Sequence, residues 1–233
     1  MSSISTNLQA VRGTIDSAAQ AVLRNGGDVR LLAVSKTFGA EAVLEASQAG
    51  QQAFGENYLQ EALDKMDTLN ELAPGLKLEW HFIGPIQSNK TRPIAENFDW
   101  VHAVDREKIA QRLSVQRPSH LPRLNICLQV NISGEASKSG VTPEDVLSLA
   151  KAVVALPNLR LRGLMAIPEP ADDFDAQRKP FAALRNLFEQ LKAAGLPVDT
   201  LSMGMSSDMQ AAIAEGATLV RIGTAIFGER TYD

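Results

Sequence analysis

The sequence has one cysteine, two tryptophans and two tyrosines among 233 residues. Cys127 has no partner for an intrachain disulfide, and its apolar surroundings indicate buried packing. No segment approaches the roughly 18 apolar residues of a membrane-spanning helix. The first residues also lack the apolar centre of a signal peptide. We therefore expect a soluble cytoplasmic protein.

Basic residues are not in excess either, since 23 lysines and arginines face 27 acidic residues, for a formal net charge of −4. Proteins that bind nucleic acids or membrane surfaces normally carry a basic patch or stripe, so we expect neither partner. The 45% hydrophobic content is sufficient for a large globular core. This composition favours small molecules or other proteins as partners.

A first helix is predicted between Ser3 and Leu23, where apolar residues recur at spacings of three and four. From Val29 onward, short apolar runs alternate with turns and helical segments, which is the pattern of βα units around a parallel sheet. The predicted strands are 29–35, 52–54, 78–83, 100–104, 124–131, 159–166, 200–202 and 219–222. The predicted helices after them are 40–49, 58–72, 89–97, 106–116, 143–156, 174–194, 207–215 and 224–229.

Eight strands followed by seven clear helices and a short eighth one favour a (β/α)8 TIM barrel. The alternative is a doubly wound sheet, which ordinarily has fewer strands and a Gly-x-Gly-x-x-Gly turn that this sequence lacks. No linker divides the chain. We therefore predict one α/β domain over residues 1–233, with an extra N-terminal helix in 1–27 and the barrel in 29–230.

Lys36 ends the first predicted strand, and active sites of such barrels lie at the carboxyl ends of strands. It is interpreted either as a solvated charge or as an amine held for covalent chemistry with an aldehyde or ketone. The second role needs a lysine pKa below the ordinary value of about 10.4. Arg221 on the eighth predicted strand would lower that pKa, because barrel closure places strands one and eight side by side.

The loops after the last two predicted strands, 202–208 and 221–224, each combine glycine with serine or threonine. Backbone N–H groups and hydroxyls of this kind can hold an anion, and barrels often bind phosphate at these two loops. Helix capping is the alternative role for Ser206 and Thr224. Because both loops occur together, we predict a phosphate site.

Six ordered segments resemble the pyridoxal-phosphate homeostasis protein family. They are LLAVSK at 31–36, FGENY at 54–58, HFIGPIQSNK at 81–90, RGLMAIP at 162–168, SMGMSSD at 202–208 and VRIGTAIFG at 220–228. The resemblance extends over nearly the whole chain. It implies an alanine-racemase-like barrel, similar to the N-terminal domain of that enzyme, and a monomer that binds the vitamin B6 cofactor pyridoxal 5'-phosphate.

The resemblance also implies the residues that surround this cofactor. They are Lys36, Asn57, Ser202, Ser206, Arg221, Gly223 and Thr224. Lys36 would hold the cofactor as a covalent Schiff base, and Asn57 would line the pocket. The phosphate would be bordered by Ser206, Gly223 and Thr224, and Arg221 would lie near the ring nitrogen. Because arginine only donates hydrogen bonds, it would leave that nitrogen unprotonated and give poor support to chemistry at a substrate's α-carbon.

Two residues depart from the family pattern. Ile86 replaces the usual leucine, a change that conserves volume. Phe38 stands where some relatives have a second basic residue, which puts a relay of cofactor through that position in doubt. Lys138, in a predicted flexible loop, is interpreted either as a solvated charge or as a residue that meets the cofactor aldehyde during loading or release.

Other polar residues near strand ends have structural interpretations. We expect His81 to be a hydrogen-bonded structural histidine and not a metal ligand, because no second ligand has suitable spacing. Glu56, Asp105 and Asp208 are candidate bases, but carboxylates in such positions commonly cap helices. We expect no metal site and assign no catalytic residue.

Three functions compete: a pyridoxal phosphate carrier for intracellular homeostasis and supply, an amino-acid racemase, and a Schiff-base aldolase without cofactor. A racemase needs a second acid/base group on the opposite face of its substrate, and because the sequence ends after the eighth unit we expect no further domain to supply it. An aldolase needs a proton-transfer residue near Lys36, and none is evident. We predict a non-catalytic carrier with transient apoenzyme contacts, and weak racemase activity as the alternative.

Overall fold

The computed structural model describes residues 3–134 and 139–229. Eight parallel strands form a closed barrel in chain order, and β8 returns to pair with β1. The strands are β1 (Arg30–Val34), β2 (Ala53–Glu56), β3 (Glu79–Phe82), β4 (Trp100–Val104), β5 (Leu124–Gln129), β6 (Leu159–Met165), β7 (Thr200–Ser202) and β8 (Leu219–Ile222). The predicted (β/α)8 barrel is confirmed.

Helices surround the barrel, and a further one precedes it. They are α1 (Ser3–Ala21), α2 (Ala40–Gln48), α3 (Leu59–Leu72), α4 (Thr91–Asn97), α5 (Glu107–Gln116), α6 (Val146–Val154), α7 (Phe174–Ala193), α8 (Met209–Ala214) and α9 (Thr224–Phe227). In residues 3–134 and 139–229, no helix has both the length and the apolar character needed to cross a membrane.

Most predicted elements differ from the structure at one or both ends, and two of these differences have a clear structural cause. The fifth strand was predicted to reach residue 131, but β5 ends at Gln129, because Val130 forms an isolated bridge with Val141 across the loop. The helix predicted over 143–156 begins as a 3-10 turn, Pro143–Asp145, before α6 starts. The proline ring is compatible with a first turn, where its missing N–H costs no hydrogen bond.

Side chains alternate between the two faces of the barrel wall, as strand geometry requires. Outward residues such as Ala33, Phe54 and Val220 pack with the helices in one continuous apolar core. Inward residues of β1, β2 and β8 form a second, small apolar cluster of Leu32, Ala53 and Leu219, which the half-buried Ile83 joins.

The first helix packs beside the last part of the barrel. Its buried stripe is Ile4, Leu8, Val11, Ile15 and Ala19, at the three- and four-residue spacing of one helix face. Asn7 Nδ2 also donates a hydrogen bond of 2.9 Å to the carbonyl oxygen of Ile226 in α9. Helix α1 therefore supports the segment that carries Thr224 at the upper end of β8.

Candidate functional site

A cavity of about 320 Å³ opens at the carboxyl ends of the strands. Its lining residues are Val34, Lys36, Phe38, Asn57, Ile83, Ile167, Met205, Ser206, Ser207, Arg221, Gly223 and Thr224. Six of the seven residues expected at the site are in this set, although they come from four separate parts of the chain. The closed barrel brings them together because all its strands point the same way.

Lys36 lies in a tight turn directly after β1. The Phe38 N–H donates to the Ser35 carbonyl oxygen at 3.1 Å and closes the turn. Thr37 has a φ of 70°, in the left-handed region that is unfavourable for a β-branched residue. Its N–H donates to Glu61 Oε1 at 2.6 Å, so α3 holds the strained residue beside Lys36.

A buried ion pair lies behind this turn. Lys65 Nζ on α3 donates to Glu56 Oε1 at 2.6 Å and to the Ser35 carbonyl oxygen at 2.9 Å. Ser35 Oγ donates to the same Glu56 oxygen at 2.6 Å. Burial raises the pKa of Glu56, and Lys65 opposes that rise. Glu56 therefore anchors the Lys36 turn, which agrees with neither the catalytic-base nor the helix-cap interpretation.

Asn57 is positioned by close packing of two loops. A Cβ atom on Gly84 would lie 2.4 Å from the Asn57 carbonyl oxygen, so only glycine allows this approach. The Asn57 side chain lines the cavity, and its Oδ1 atom is buried with no hydrogen-bond partner among the residues that the structure describes. A buried amide oxygen without a partner is costly, so this atom favours a ligand that donates a hydrogen bond.

Arg221 is the buried cation of the cavity wall, with 4% of its surface exposed. Its Nη1 donates to the carbonyl oxygen and the Oγ of Ser202, at 2.7 and 2.8 Å, and its Nη2 donates to the Ala166 carbonyl oxygen at 3.0 Å. Burial lowers the pKa of Arg221 to about 10, and the charge of Asp208 opposes this shift. Arg221 is still protonated at neutral pH, and it is held by neutral acceptors.

Ser202 is the expected site residue that does not line the cavity. It is fully buried, and its side chain lies behind Arg221, between Nη1 of that arginine and His102 Nδ1 at 2.8 Å. Ser202 ends β7 and faces into the barrel, whereas Ser206, four residues later, has left the strand and reaches the cavity. Its geometry therefore assigns it to the support of Arg221.

The two loops predicted to hold phosphate are joined by a backbone hydrogen bond, in which Arg221 N–H donates to the Gly204 carbonyl oxygen at 2.9 Å. Within the β7 loop, Met205 N–H donates to the side chain of Asp208, at 2.6 Å from Oδ1. The hydroxyl-bearing residues Ser206 and Thr224 are exposed and line the same cavity. Asp208 shapes the loop through its side chain, and burial raises its pKa.

Sequence reasoning missed most of the apolar part of the lining. Val34 and Ile83 are inward-facing residues at the ends of β1 and β3. Each lies two residues after another inward-facing residue, Leu32 or His81, and this two-residue spacing was the signal that could have identified them. Phe38 was noted only as a departure from the family pattern. In the structure its ring stacks on Phe227 with centroids 5.1 Å apart, at the edge of the cavity.

His81 is hydrogen-bonded, as predicted, but it points into the barrel and not out of its upper end. Its Nε2 lies 2.6 Å from Glu79 Oε1, and its Nδ1 lies 2.8 Å from His102 Nε2. Lys138, the proposed contact during loading or release, lies outside the described residues.

Comparison with known proteins agrees with this architecture. The family model of the alanine racemase N-terminal domain matches residues 6–231. The chain is 64% identical over 232 residues to a pyridoxal phosphate homeostasis protein of Pseudomonas aeruginosa, covering 100% of this chain and 98% of the relative. It is 53% identical to the protein of that name from Escherichia coli, covering 100% of this chain and 99% of the relative.

Solved structures show the same barrel. PipY of Synechococcus elongatus, solved with PLP bound, is 36% identical with a TM-score of 0.82, over 97% of this chain and 100% of that one. Alanine racemase of Corynebacterium glutamicum, at 18% identity and a TM-score of 0.67, shares the fold over 99% of this chain and 62% of its own. The chain thus belongs to the pyridoxal phosphate homeostasis protein family, whose barrel is that of the alanine racemase N-terminal domain.

Proposed function

We propose that this protein binds pyridoxal 5'-phosphate through a Schiff base on Lys36 and takes part in the homeostasis and supply of that cofactor. The observation that carries the proposal is the convergence of a lysine, a buried arginine and two hydroxyl-bearing loops on one cavity. The relatives named for pyridoxal phosphate homeostasis, and PipY solved with PLP bound, support the same cofactor.

The residues of the cavity fit the chemistry of this cofactor. At about 320 Å³ the cavity is within the range of small-molecule sites. The unpartnered Oδ1 of Asn57 is an acceptor for a ligand group that donates. Val34, Ile83 and Met205 provide apolar surface for a flat ring, and the hydroxyls of Ser206 and Thr224 suit a phosphate.

When bound, pyridoxal 5'-phosphate supplies an aldehyde that condenses with an amine and a phosphate that accepts hydrogen bonds. Lys36 provides the amine, and the Thr37–Glu61 hydrogen bond holds its turn at the mouth of the barrel. Arg221 has further N–H groups beyond those in its three bonds to Ser202 and Ala166. Toward the ring of the cofactor it would act only as a hydrogen-bond donor.

The lining of the cavity supports a carrier in preference to a racemase. Within residues 3–134 and 139–229, its only ionisable members are Lys36 and Arg221, and arginine is a poor proton shuttle. A racemase needs acid/base groups on both faces of the substrate carbon. We therefore propose a non-catalytic role, and amino-acid racemisation at ordinary enzymatic rates would reject it.

Covalent binding is tested by reduction with borohydride followed by mass spectrometry. The wild-type protein mixed with pyridoxal 5'-phosphate is expected to gain one cofactor mass on the peptide that contains Lys36. Lys36→Ala is expected to lose this adduct, whereas Lys77→Ala, which removes an exposed lysine, keeps it. A wild-type protein without the adduct, or a Lys36→Ala protein that retains it at full yield, contradicts the proposal.

The phosphate assignment is tested by comparing two ligands. The double variant Ser206→Ala/Thr224→Ala is expected to weaken the binding of pyridoxal 5'-phosphate by roughly tenfold to a hundredfold. Hydrogen bonds to charged groups contribute about 1.5–3 kcal/mol each, and less at exposed residues such as these two. Binding of pyridoxal, which has no phosphate, is expected to change little. Equal losses for the two ligands, measured by equilibrium dialysis, would show that these hydroxyls do not contact the phosphate.

We further propose that the protein acts as a monomer that delivers the cofactor during transient contact with apoenzymes. The test mixes loaded protein with an apoenzyme that depends on pyridoxal phosphate and follows its activation. Activation is expected to be faster than the spontaneous release of cofactor, which is measured separately in the absence of apoenzyme. Activation at the rate of spontaneous release would restrict the protein to a buffering role.

A further inference from the structure

A continuous chain of hydrogen bonds crosses the interior of the barrel and ends at the cavity. It begins at Glu79, at the amino end of β3, passes through His81 and His102, and reaches Arg221 through Ser202. The successive distances are 2.6 Å from Glu79 Oε1 to His81 Nε2, and 2.8 Å for each of the three following contacts. The two histidines and the serine are fully buried.

When both histidine rings are neutral, as their burial favours, the two ends of the chain determine the direction of every hydrogen bond. Burial raises the pKa of Glu79, but hydrogen bonds from His81 and Arg30 and the charge of Arg30 outweigh this effect and keep the pKa below its ordinary value. Glu79 is therefore a carboxylate that only accepts. Arg221, at the other end, only donates. Both constraints require every hydrogen bond of the chain to be donated in the same direction, from Arg221 toward Glu79.

A single proton assignment therefore satisfies each intermediate group. His81 donates from Nε2 to Glu79 and accepts at Nδ1 from His102 Nε2. His102 accepts at Nδ1 from the Ser202 hydroxyl, whose oxygen accepts from Arg221 Nη1. Both rings are then neutral, in agreement with burial, which lowers the pKa of His81 and lowers that of His102 well below its ordinary value.

We propose that Arg221 is held in position by a polarised chain of four residues, Ser202, His102, His81 and Glu79. Through this chain the negative charge of Glu79, at the amino ends of the strands, strengthens the hydrogen bond to Arg221 at the cofactor cavity. Hydrogen bonds that share donors and acceptors polarise one another, so the charge at one end strengthens the bond at the other. The link to the cofactor rests on the proposed function, whereas the chain itself is a property of the protein alone.

The chain is tested first without cofactor, by ¹⁵N NMR of the histidine rings and the Arg221 side chain. Both rings are expected to be neutral with the proton on Nε2 at neutral pH. Glu79→Gln removes the charge but keeps an acceptor oxygen, and it is expected to shift the ring signals and the Arg221 N–H signals. Asp199→Asn is the matched control, because Asp199 is a carboxylate at the same end of the barrel that pairs with Arg162 outside the chain.

The link to the cavity is tested with bound pyridoxal 5'-phosphate. Ser202→Ala and Glu79→Gln are both expected to keep the adduct on Lys36 and to shift the absorbance maximum of the bound cofactor in the same direction. The smaller shift is expected for Glu79→Gln, and none for Asp199→Asn. Ser202→Ala is also expected to weaken binding about threefold to tenfold, the range for one lost hydrogen bond.

The outcomes separate this proposal from the proposed function. A charged ring, a proton on Nδ1 of either histidine, or Arg221 signals that do not respond to Glu79→Gln would overturn the chain, whatever the cofactor does. An intact chain by NMR with no adduct on Lys36 would reject the proposed function and leave the chain standing. A spectrum that responds to Ser202→Ala but not to Glu79→Gln would reject transmission beyond Ser202.

Discussion

The two faces of the barrel wall differ in chemistry. The outward face is an apolar layer in which residues such as Phe54, Trp80 and Val101 pack against helices. The inward face combines the small Leu32 cluster with the chain of hydrogen bonds that runs from Glu79 to Arg221. The outer layer therefore stabilises the fold through buried area, whereas the inner face uses directional bonds to orient one side chain.

This difference indicates which positions of the protein tolerate amino-acid substitution. Apolar packing depends on volume and is roughly proportional to buried area, so related side chains can replace one another at modest cost. A chain of hydrogen bonds requires each donor to meet an acceptor, so removing one residue leaves its neighbours without a partner. The outer layer also contains buried polar groups, and among them the Glu56–Lys65 pair lies directly behind the Lys36 turn.

The largest effect is expected from breaking the Glu56–Lys65 pair. In Lys65→Met the Glu56 carboxylate, whose side chain is 0% exposed, loses its cation. We expect a loss of about 3–5 kcal/mol in the free energy of unfolding, because an uncompensated buried charge is costly. Urea denaturation measures this loss, and Lys77→Met on the exposed surface is the control, with a change below about 0.5 kcal/mol.

A loss below about 1 kcal/mol for Lys65→Met would mean that water or a neighbouring group replaces the cation. The same variant is expected to slow adduct formation on Lys36, since Lys65 also holds the Ser35 carbonyl oxygen. This second measurement separates an effect on the turn from a general loss of stability.

A smaller effect is expected inside the barrel from His102→Leu. This change leaves the Ser202 hydroxyl and His81 Nδ1 without their partner, and we expect a loss of about 2–4 kcal/mol, partly offset by burial of leucine. The matched outward variant is Val101→Ala on the same strand. Both variants are expected to lower stability in urea, but only His102→Leu changes the Arg221 signals. If Val101→Ala changes them equally, the two faces are not distinct.

The smallest effect is expected from pH. Burial lowers the pKa values of His81 and His102 below their ordinary 6.5. The unfolded chain then binds more protons than the folded one below pH 6.5, so stability falls as pH falls through that value. The charged groups around the pair are Arg30, Glu79, Asp99 and Arg221, and the carboxylates oppose the shift.

Glu79 adds to this dependence at lower pH. Its folded pKa of about 2 lies below the ordinary 4.5, so its contribution is present above pH 4.5 and is lost as pH falls toward 2. Stability measured from pH 7 to 5 is therefore expected to decline in the wild type and to be flatter in His81→Gln/His102→Gln. Parallel curves for the two proteins would show that the histidines are not the groups that titrate.

The sequence by itself determined the order of the elements. Apolar periodicity and turn residues located all eight strands, because these signals depend on neighbours within a few residues. The strands over 100–104, 200–202 and 219–222 agree with the structure at both ends. Strand ends and loop composition indicated Lys36, Arg221 and the two loops, and the family resemblance implied their roles. The structure brings these residues to one cavity.

Only the tertiary structure decided what lies behind that cavity. Ser202 and His102 are 100 residues apart, and their contact follows from the closure of the barrel and the register of its strands. No local pattern indicates that a serine in one strand meets a histidine across the barrel, or that Lys65 reaches the turn of Lys36. These contacts depend on the closure of the barrel, which brings together residues that are far apart in sequence. Patterns among neighbouring residues therefore do not reveal them.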